Sequence, residues 1–344
     1  ARVTGLTPWG APDRLSRIAR GLDDAQRAAE ADLRRLALAR CLPVSLGRML
    51  AKYLPAGAVY FNTGHSNATD RVLSSLKHQA KVRIAVFVHD TIPLDHPTLQ
   101  RPGTIEPFRA FLRRICIFAD MVIANSAATA NDFARHVTGT VPRVIVAPLG
   151  VNPVTPHPLK CALPLDPSRP FFVMVGTIEP RKGHALLLNV WQELLALHPA
   201  NAMPQLVICG ARGWANEAVF AKLDALGPLE PHVIEAPGLD DGEIAWLLSR
   251  SRGLLFPSLA EGYGLPPLEA AALGAEVISA NLPSVSEILG DRAVYISSTD
   301  ASAWLREIQQ RLDVKWVNLS LKTKQSMFLP PSWDTHFNMV LREL

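Results

Sequence analysis

Two α/β domains, each a doubly wound parallel sheet flanked by helices, follow from three features of this sequence. Short apolar runs rich in Val, Ile and Phe alternate with segments of helical periodicity through most of the chain, and such alternation builds parallel sheets covered on both faces. A proline-dense stretch divides the alternation near its middle. The residues with chemical potential fall just after the apolar runs, at the carboxyl ends of the expected strands, where ligands gather in such sheets.

Composition agrees with this reading. A chain of 344 residues has room for two domains of ordinary size, and 48% hydrophobic with 19% charged residues describes a globular protein with sizeable cores. No apolar run approaches the roughly 18 residues needed to span a bilayer, and no signal-peptide order opens the chain. A start at Ala1 and Arg2 leaves room for native residues before it. Cys41, Cys116, Cys161 and Cys209 have no metal-ligand spacing, and Cys116 and Cys209 sit in apolar segments. They read as buried free thiols of a reducing, cytoplasmic compartment. The net charge of +4 conceals an asymmetry, because residues 1–150 hold 20 Lys and Arg against 11 Asp and Glu while the remainder holds 15 against 20. The basic half suits an anionic acceptor or an acidic lipid surface. Nucleic acid is not an expected partner, since no aromatic-studded basic stripe or known binding module accompanies the charge.

Within residues 13–40, Arg14, Arg17, Arg20, Arg27, Arg34 and Arg35 accompany Leu15, Ile18, Leu22, Ala25, Ala29, Leu33 and Leu36 at helical spacing. This predicts an amphipathic helix or helix pair, covering a sheet or lying on a membrane surface. Val59–Phe61 is a short strand running into the loop 62–67, and Val82–Val88 a β-branched strand. A helix over Gly103–Phe118, a strand over Met121–Ala124, a helix over Ala127–His136 capped by Ser126, and a strand over Val144–Val146 complete a domain of residues 1–150. Pro148, Pro153, Pro156, Pro158, Pro164, Pro167 and Pro170 mark residues 151–170 as the linker. The second domain, 171–332, has strands over Phe171–Val175, Gln205–Cys209, Val233–Glu235, Gly253–Phe256, Glu276–Ser279 and Ala293–Ile296, with helices between most of them. A last helix is expected within residues 333–344.

Two motifs in the second domain carry chemistry. Phe171–Val175 leads through Gly176, Thr177, Ile178 and Glu179 to Pro180, Arg181, Lys182, Gly183 and His184, and then to an apolar helix over Ala185–Leu197. Adjacent cations at a helix start suit a diphosphate, because backbone amides, the helix dipole and two side-chain charges converge there. An isolated pair would read as a solvated turn, but a second motif stands beside it. After Gly253–Phe256 comes Glu261, Gly262, Tyr263, Gly264, Leu265, Pro266, Pro267, Leu268 and Glu269. Gly262 and Gly264 allow positive φ and close approach, and the two prolines fit the first turn of a helix. Glu261 then lies on the loop and Glu269 about one turn into the helix.

Gly176–Gly183 and Glu261–Glu269 resemble the nucleotide-sugar half of retaining GT-B glycosyltransferases of the "group 1" family, glycosyltransferase family four. Val86–Pro93, Ile123–Ser126 and Val146–Val151 are similar to N-terminal segments of that family, in the family's order, so the resemblance covers roughly residues 58–300. It implies a GT-B fold, two Rossmann-like domains facing across a cleft, with the acceptor on the first and the 333–344 helix packing back on it. Arg181 and Lys182 would hold the donor diphosphate in place of a metal, and the sequence has no Asp-x-Asp motif or His/Cys cluster to bind one. No cofactor is implied beyond the nucleotide-sugar donor. Glu269 would accept the ribose hydroxyls. Glu261 would face the developing oxocarbenium charge, with front-face attack in place of the two-carboxylate scheme of glycoside hydrolases. Gly176, Gly262, Tyr263, Gly264 and Leu265 would line the diphosphate and sugar. His89 would face the donor sugar, with Asp90 as its partner. Asn62, Gly64 and His65 are candidates for acceptor or phosphate contact, Asn125 for the cleft, and Arg212 for the nucleotide base.

The Gly-Thr-Ile-Glu-Pro-Arg-Lys form is similar to bacterial mannosyltransferases of cell-surface polysaccharide synthesis, which implies GDP-mannose as donor ahead of UDP-sugars. The acceptor would be a glycan or a polyprenyl-diphosphate-linked glycan, and the enzyme peripheral on the inner face of the plasma membrane. One departure stands out. Many members open with a strand and Gly-rich loop, whereas residues 1–20 offer Gly5 and Gly10 without a strand. Either native residues precede Ala1 or the 62–67 loop does that work. Among alternatives, a sugar-nucleotide epimerase shares the architecture without this Glu-loop-Glu unit, and a pyridoxal-dependent phosphorylase needs a much longer chain. The intact Arg181, Lys182, Glu261 and Glu269 weigh against an inactive binding module.

Overall fold

A computed structural model describes residues 10–18, 21, 23–65, 67–166, 168–312 and 328–344. They group into two compact units, one from residues 1–62 and 66–85, the other from 63–65 and 86–344.

The first unit holds α1 (Arg14–Ile18) and α2 (Asp24–Leu36), with Gly21 between them at a φ of 74°. Asp23 caps α2 with a reciprocal bond from its amide to Gln26, so the second helix starts where its own sequence dictates. Arg20 and Leu22 lie outside the described residues. The pair does not bury its apolar stripe: Leu15, Ile18, Leu33 and Leu36 are exposed, while Ala31, Ser16 and Asp32 are buried. The reason is local, because Asp32 accepts from the Gly10 amide at 2.8 Å and from Arg35, and Arg34 holds Asp13 at 2.8 Å, which turns the polar side of α2 inward. α3 (Leu46–Tyr53), β1 (Val59–Asn62) and α4 (Asp70–Ser74) follow, the last continuing as a π-helical turn over Ser75–Gln79. Gly47 has no Cβ to strike the Gln79 amide group, which would lie 1.8 Å away.

β2 (Arg83–Val88) runs on into the second unit, with every residue after Arg83 buried, as a strand covered on both faces requires. After it come α5 (Ile92–Asp95), α6 (Ile105–Phe118), β3 (Met121–Ala124), α7 (Ala127–His136) and β4 (Arg143–Val146). α6 starts two residues later than its periodicity suggests, since Gly103 takes φ of 83° in a turn. The sheet order is β1-β2-β3-β4, and β3 pairs with β4 in parallel. Residues 151–170 form no helix or strand among those described; Leu159, Leu163 and Leu165 pack on the core beyond them.

The remaining elements are β5 (Phe171–Val175), α8 (His184–Leu197), β6 (Gln205–Cys209), α9 (Glu217–Asp224), β7 (Val233–Glu235), α10 (Asp241–Arg250), β8 (Leu254–Phe256), α11 (Leu265–Ala272), β9 (Val277–Ala280), α12 (Pro283–Leu289), β10 (Val294–Ile296), α13 (Ala301–Gln310) and α14 (Trp333–Arg342). Six strands form one sheet in the order β10-β9-β8-β5-β6-β7, with parallel pairing throughout. Phe172 and Trp191, both fully buried, meet edge to face at 6.1 Å in its core. The chain direction across the sheet reverses between β5 and β8. Such a switch point opens a crevice at the strands' carboxyl ends, and the two chemical motifs follow these two neighbouring strands. α14 closes the chain against the residues after β4, with His336 Nδ1 3.1 Å from the carbonyls of Ala147 and Pro148.

Candidate functional site

Local backbone chemistry aims the first motif. Gly176 leaves β5 with φ of 141°, and a Cβ there would sit 3.3 Å from the Lys182 stem. Pro180–Lys182 makes one 3₁₀ turn, and Gly183, at φ 76°, passes so close to Pro257 that a Cβ would lie 2.3 Å from its carbonyl oxygen. The turn therefore seats against the strand end that feeds the second motif, and the Arg181 carbonyl accepts from Leu259 N at 2.8 Å.

Glu261 is where the motifs meet. One carboxylate oxygen lies 2.6 Å from Arg181 Nη1 and the other 2.7 Å from Lys182 Nζ. The Glu261 side chain is 9% exposed, against 19% for Arg181 and 12% for Lys182. Arg181 also donates to the Ala260 carbonyl at 2.9 Å and to Glu179 at 2.8 Å. Ser284 Oγ, from α12, donates to the Glu261 carbonyl at 3.1 Å. Two cations and two carboxylates thus form one network at the switch point.

Gly262 brings β2's loop onto this network. A Cβ on it would lie 2.3 Å from the His89 carbonyl oxygen and 2.8 Å from Asp90 Cβ. The Gly262 carbonyl accepts from Thr129 Oγ1 at 3.0 Å, and Asn125 Nδ2 donates to the His89 carbonyl at 2.8 Å. Glu287 caps α7 from outside, accepting from the amides of Ala127 and Ala128 at 2.8 and 3.1 Å. His89 Nε2 lies 2.7 Å from the Thr63 carbonyl oxygen, which can only accept; Nε2 therefore carries hydrogen and Nδ1 is left for other chemistry. Asp90 Oδ1 accepts from the Ile92 amide at 3.0 Å, and the hydrogen bond of the His89 ring goes to the Thr63 carbonyl rather than to Asp90, which acts on His89 through charge alone. Burial pushes the Asp90 carboxyl above the usual range, against the pull of the Ile92 amide and Arg181. His65, at φ 59°, packs on the Phe111 and His89 rings at 4.4 and 5.3 Å. Burial, then His89, lowers its pKa to about 4, so at neutral pH its Nε2 carries a hydrogen to the Phe87 carbonyl.

The other expected residues divide. Gly264 takes φ of 96° as it enters α11 and Leu265 is the first residue of that helix, as the Gly and Pro pattern requires. Tyr263 turns inward, is buried, and donates from its hydroxyl to the Leu149 carbonyl at 2.8 Å, so its side chain is structural. Glu269 is half-buried, and burial, then Asp241, raises its pKa. Arg212 is already occupied by Glu235 at 2.7 Å and Asp224 at 2.7 Å, and lies over the Phe220 ring. Asn62 is buried in the first unit, donating to the Tyr60 hydroxyl at 3.1 Å, while Gly64 is exposed.

Beside the network lies a cavity of about 450 Å³ lined by His65, His89, Asp90, Glu179, Arg181 and Trp214, with residues of the 92–108 segment completing the wall. Sequence reasoning missed Glu179 and Trp214 as site residues. Glu179 joins them, holding Arg181 through one oxygen and Trp214 Nε1 through the other at 2.9 Å. The signal was present, since Glu179 lies within the Gly176–Gly183 motif and Trp214 two residues beyond Arg212 in the same loop. Among the described residues no cluster of His, Cys, Asp and Glu has the form of a metal site.

Comparison with known proteins gives the following. Residues 160–325 match the family described as "Glycosyl transferases group 1". The chain is 30% identical over 272 residues to the serotype-specific mannosyltransferase WbdA of Escherichia coli, an alignment covering 75% of this chain and 33% of that protein. It is 29% identical to the O-antigen chain mannosyltransferase B of Escherichia coli over 48% of this chain and 42% of that protein. The chain thus spans about a third of the length of the relative matched over most of its residues. In three dimensions it is similar to TarM, with a TM-score of 0.64, 14% identity and coverage of 87% of this chain and 57% of that one. It is equally similar to a sucrose-phosphate synthase from Thermosynechococcus elongatus, with a TM-score of 0.64, 20% identity and coverage of 88% and 76%. At these identities the structural likeness speaks for the GT-B fold.

Proposed function

We propose that this chain, which belongs to the group 1 glycosyl transferases through its residues 160–325, transfers mannose from GDP-mannose to a glycan acceptor in the synthesis of a cell-surface polysaccharide. The observation that carries the reading is the pairing of Arg181 and Lys182 with Glu261 at the β5/β8 switch point. A nucleoside diphosphate sugar needs cations for its leaving group and a carboxylate near its developing positive charge, and these lie within one hydrogen-bonded network. Arg181 and Lys182 take the charge of the departing diphosphate without a metal ion, and Glu269 holds the ribose. The anomeric carbon–oxygen bond breaks toward the diphosphate while the acceptor hydroxyl attacks the same face. Its proton passes to the leaving phosphate oxygen, so configuration is retained. His89, fixed through Thr63, presents Nδ1 to the transferred sugar. Residues 171–332 serve the donor, residues 1–150 the acceptor, and 151–170 join them.

The acceptor we propose is a polyprenyl-diphosphate-linked glycan at an anionic membrane. Supporting this are the charge of residues 1–150 and the exposed Leu15, Ile18, Leu36 and Leu38 among arginines. No helix among the described residues is long and apolar enough to cross a membrane, so attachment would be at the surface.

Thermal unfolding with GDP, UDP and ADP, followed by turnover of the corresponding sugars with and without EDTA, tests the reading. GDP should raise Tm, since a ligand that binds only the native state stabilises it. GDP-mannose should be consumed equally in EDTA with an α-linked product. If no nucleotide shifts Tm and no donor is consumed, the chain is a binding module and the proposal fails.

A further inference from the structure

The cavity beside the Glu261 network has a wall that the donor chemistry does not use. Gln100, Arg101 and Thr104 line it from the segment between α5 and α6, Phe108 from the first turn of α6, and Trp214 from the loop after β6. The Arg101 guanidinium lies 5.4 Å from the centre of the Trp214 ring, and Trp214 Nε1 donates to Glu179 at 2.9 Å. Glu179 in turn binds Arg181 at 2.8 Å. Trp214 is therefore held at its edge by Glu179, the same carboxylate that binds Arg181, and on one face by Arg101.

The chemistry of this wall points to one kind of ligand. Arg181, bonded by Glu179 and Glu261, is taken up by the donor diphosphate in the glycosyl-transfer reading, which leaves Arg101, resting on the Trp214 ring, as the one further Lys or Arg lining the cavity. A second phosphate or a peptide carboxylate would find no uncommitted cation pair here. Aromatic surface from Trp214 and Phe108 beside the amide of Gln100, the hydroxyl of Thr104 and the fork of Arg101 matches a neutral polyol. The apolar C–H face of a pyranose packs on aromatic rings while its rim of hydroxyls takes the polar groups. The volume of about 450 Å³ holds one or two sugar rings.

We propose that this wall is the subsite for the terminal sugar of the acceptor, that Trp214, Phe108 and Arg101 determine its specificity for a pyranoside, and that Glu179 is a positioning residue coupling that sugar to Arg181. The inference rests on the glycosyl-transfer reading above and assigns the acceptor half of the same site. Glu179 bridges the two halves: a sugar that orders Trp214 also orders Arg181 beneath the donor diphosphate.

The test uses the full chain and methyl α-mannoside, α-1,3-mannobiose and mannose 6-phosphate as probes. Saturation-transfer NMR reads sugar binding without any turnover, and GDP-mannose consumption reads the acceptor KM. For wild type we expect a signal from the two neutral mannosides and a weaker one from the phosphate. Arg101→Ala, on an exposed loop and safe for folding, should raise the acceptor KM at least tenfold with GDP affinity changed less than twofold. Trp214→Ala should abolish the mannoside signal. Trp214→Phe keeps the ring but loses the bond to Glu179, so it should retain the signal while lowering kcat, a split that a merely structural role would not produce. An unchanged KM and signal in Arg101→Ala and Trp214→Ala overturn the subsite, as does preference for mannose 6-phosphate. A mannoside signal lost in Trp214→Ala in a chain that consumes no donor would keep the subsite and sink the transferase reading.

Discussion

In the proposed reading, Glu261 competes with the donor diphosphate for the two cations. Its carboxylate lies 2.6 Å from Arg181 and 2.7 Å from Lys182, and a bound diphosphate must share or displace it. Glu261→Gln should therefore lower kcat by about 100-fold or more, in the range that loss of a transition-state charge produces, while GDP affinity stays level or tightens. Calorimetric titration alongside steady-state kinetics separates the two effects; a large loss of GDP affinity would show that Glu261 serves the nucleotide instead. Arg181→Ala with Lys182→Ala should weaken GDP binding by several kcal/mol, at about 1.5–3 kcal/mol for each charged bond. It would also strand a nearly buried carboxylate, a destabilisation of about 3–5 kcal/mol. Adding Glu261→Gln to the double variant should restore much of the thermal stability and none of the binding. Each of these three residues was legible in the sequence, because each sits in a local motif directly after an apolar strand. Their union was not. It depends on β8 lying beside β5, a neighbour relation set by the sheet order and by no local spacing. The inward turn of Tyr263 and the commitment of Arg212 to Glu235 were hidden for the same reason, since both partners are distant in sequence.

At the scale of elements, Gly262 holds two loops together by what it lacks. Gly262 has the His89 carbonyl oxygen 2.3 Å from where its Cβ would be, and a backbone carbonyl cannot step aside as a flexible side chain does. Gly262→Ala should push the β2 loop away from Glu261, costing about 1–3 kcal/mol of stability as overpacking does and at least tenfold in kcat. GDP affinity should stay within a few-fold, because Arg181 and Lys182 leave from a different strand. Wild-type kcat in this variant would show that His89 need not approach the second motif. The strands after the linker were readable almost residue by residue, since buried parallel strands are continuous apolar runs. The short helices α3 and α4 were not, because elements of eight and five residues form only through tertiary support. The amphipathic pair α1 and α2 was readable as helix, yet its buried face was not. Asp32 binds the Gly10 amide, and that contact reverses the polarity that the leucine spacing suggests.

Stability and surface attachment belong to the whole molecule. His184 opens α8, is 2% exposed, and has both ring nitrogens without a hydrogen-bond partner among the described residues. Burial, then Lys182, lowers its pKa to about 4, as burial and His89 do for His65. Both folded values lie below the ordinary 6.5, so the neutral forms stabilise the fold above pH 6.5 and that contribution is lost as pH falls toward 4. At about 1.4 kcal/mol per unit, His184 alone accounts for up to roughly 3 kcal/mol, with less for the more exposed His65. Urea midpoints measured from pH 7 to 4 should fall steeply in wild type and less in His184→Leu; parallel curves would assign the acid sensitivity elsewhere. The proposed membrane attachment would rest on the described surface of residues 10–44. Leu15, Ile18, Leu36, Leu38 and Leu42 are exposed there beside the exposed Arg14, Arg17, Arg35 and Arg40. Each basic residue near an anionic leaflet contributes about 1 kcal/mol, and leucines that reach the acyl boundary add about 25 cal/mol for each Å² they bury. The chain should therefore sediment with anionic liposomes at low salt and much less with neutral ones. Salt at about 0.5 M, where the Debye length is a few Å, should release most of it, and Leu36→Ser with Leu38→Ser should weaken binding at every salt concentration. Equal partitioning onto neutral and anionic liposomes would make the arginines mere solvation of a surface helix, and would favour a soluble saccharide over a lipid-linked one as the acceptor.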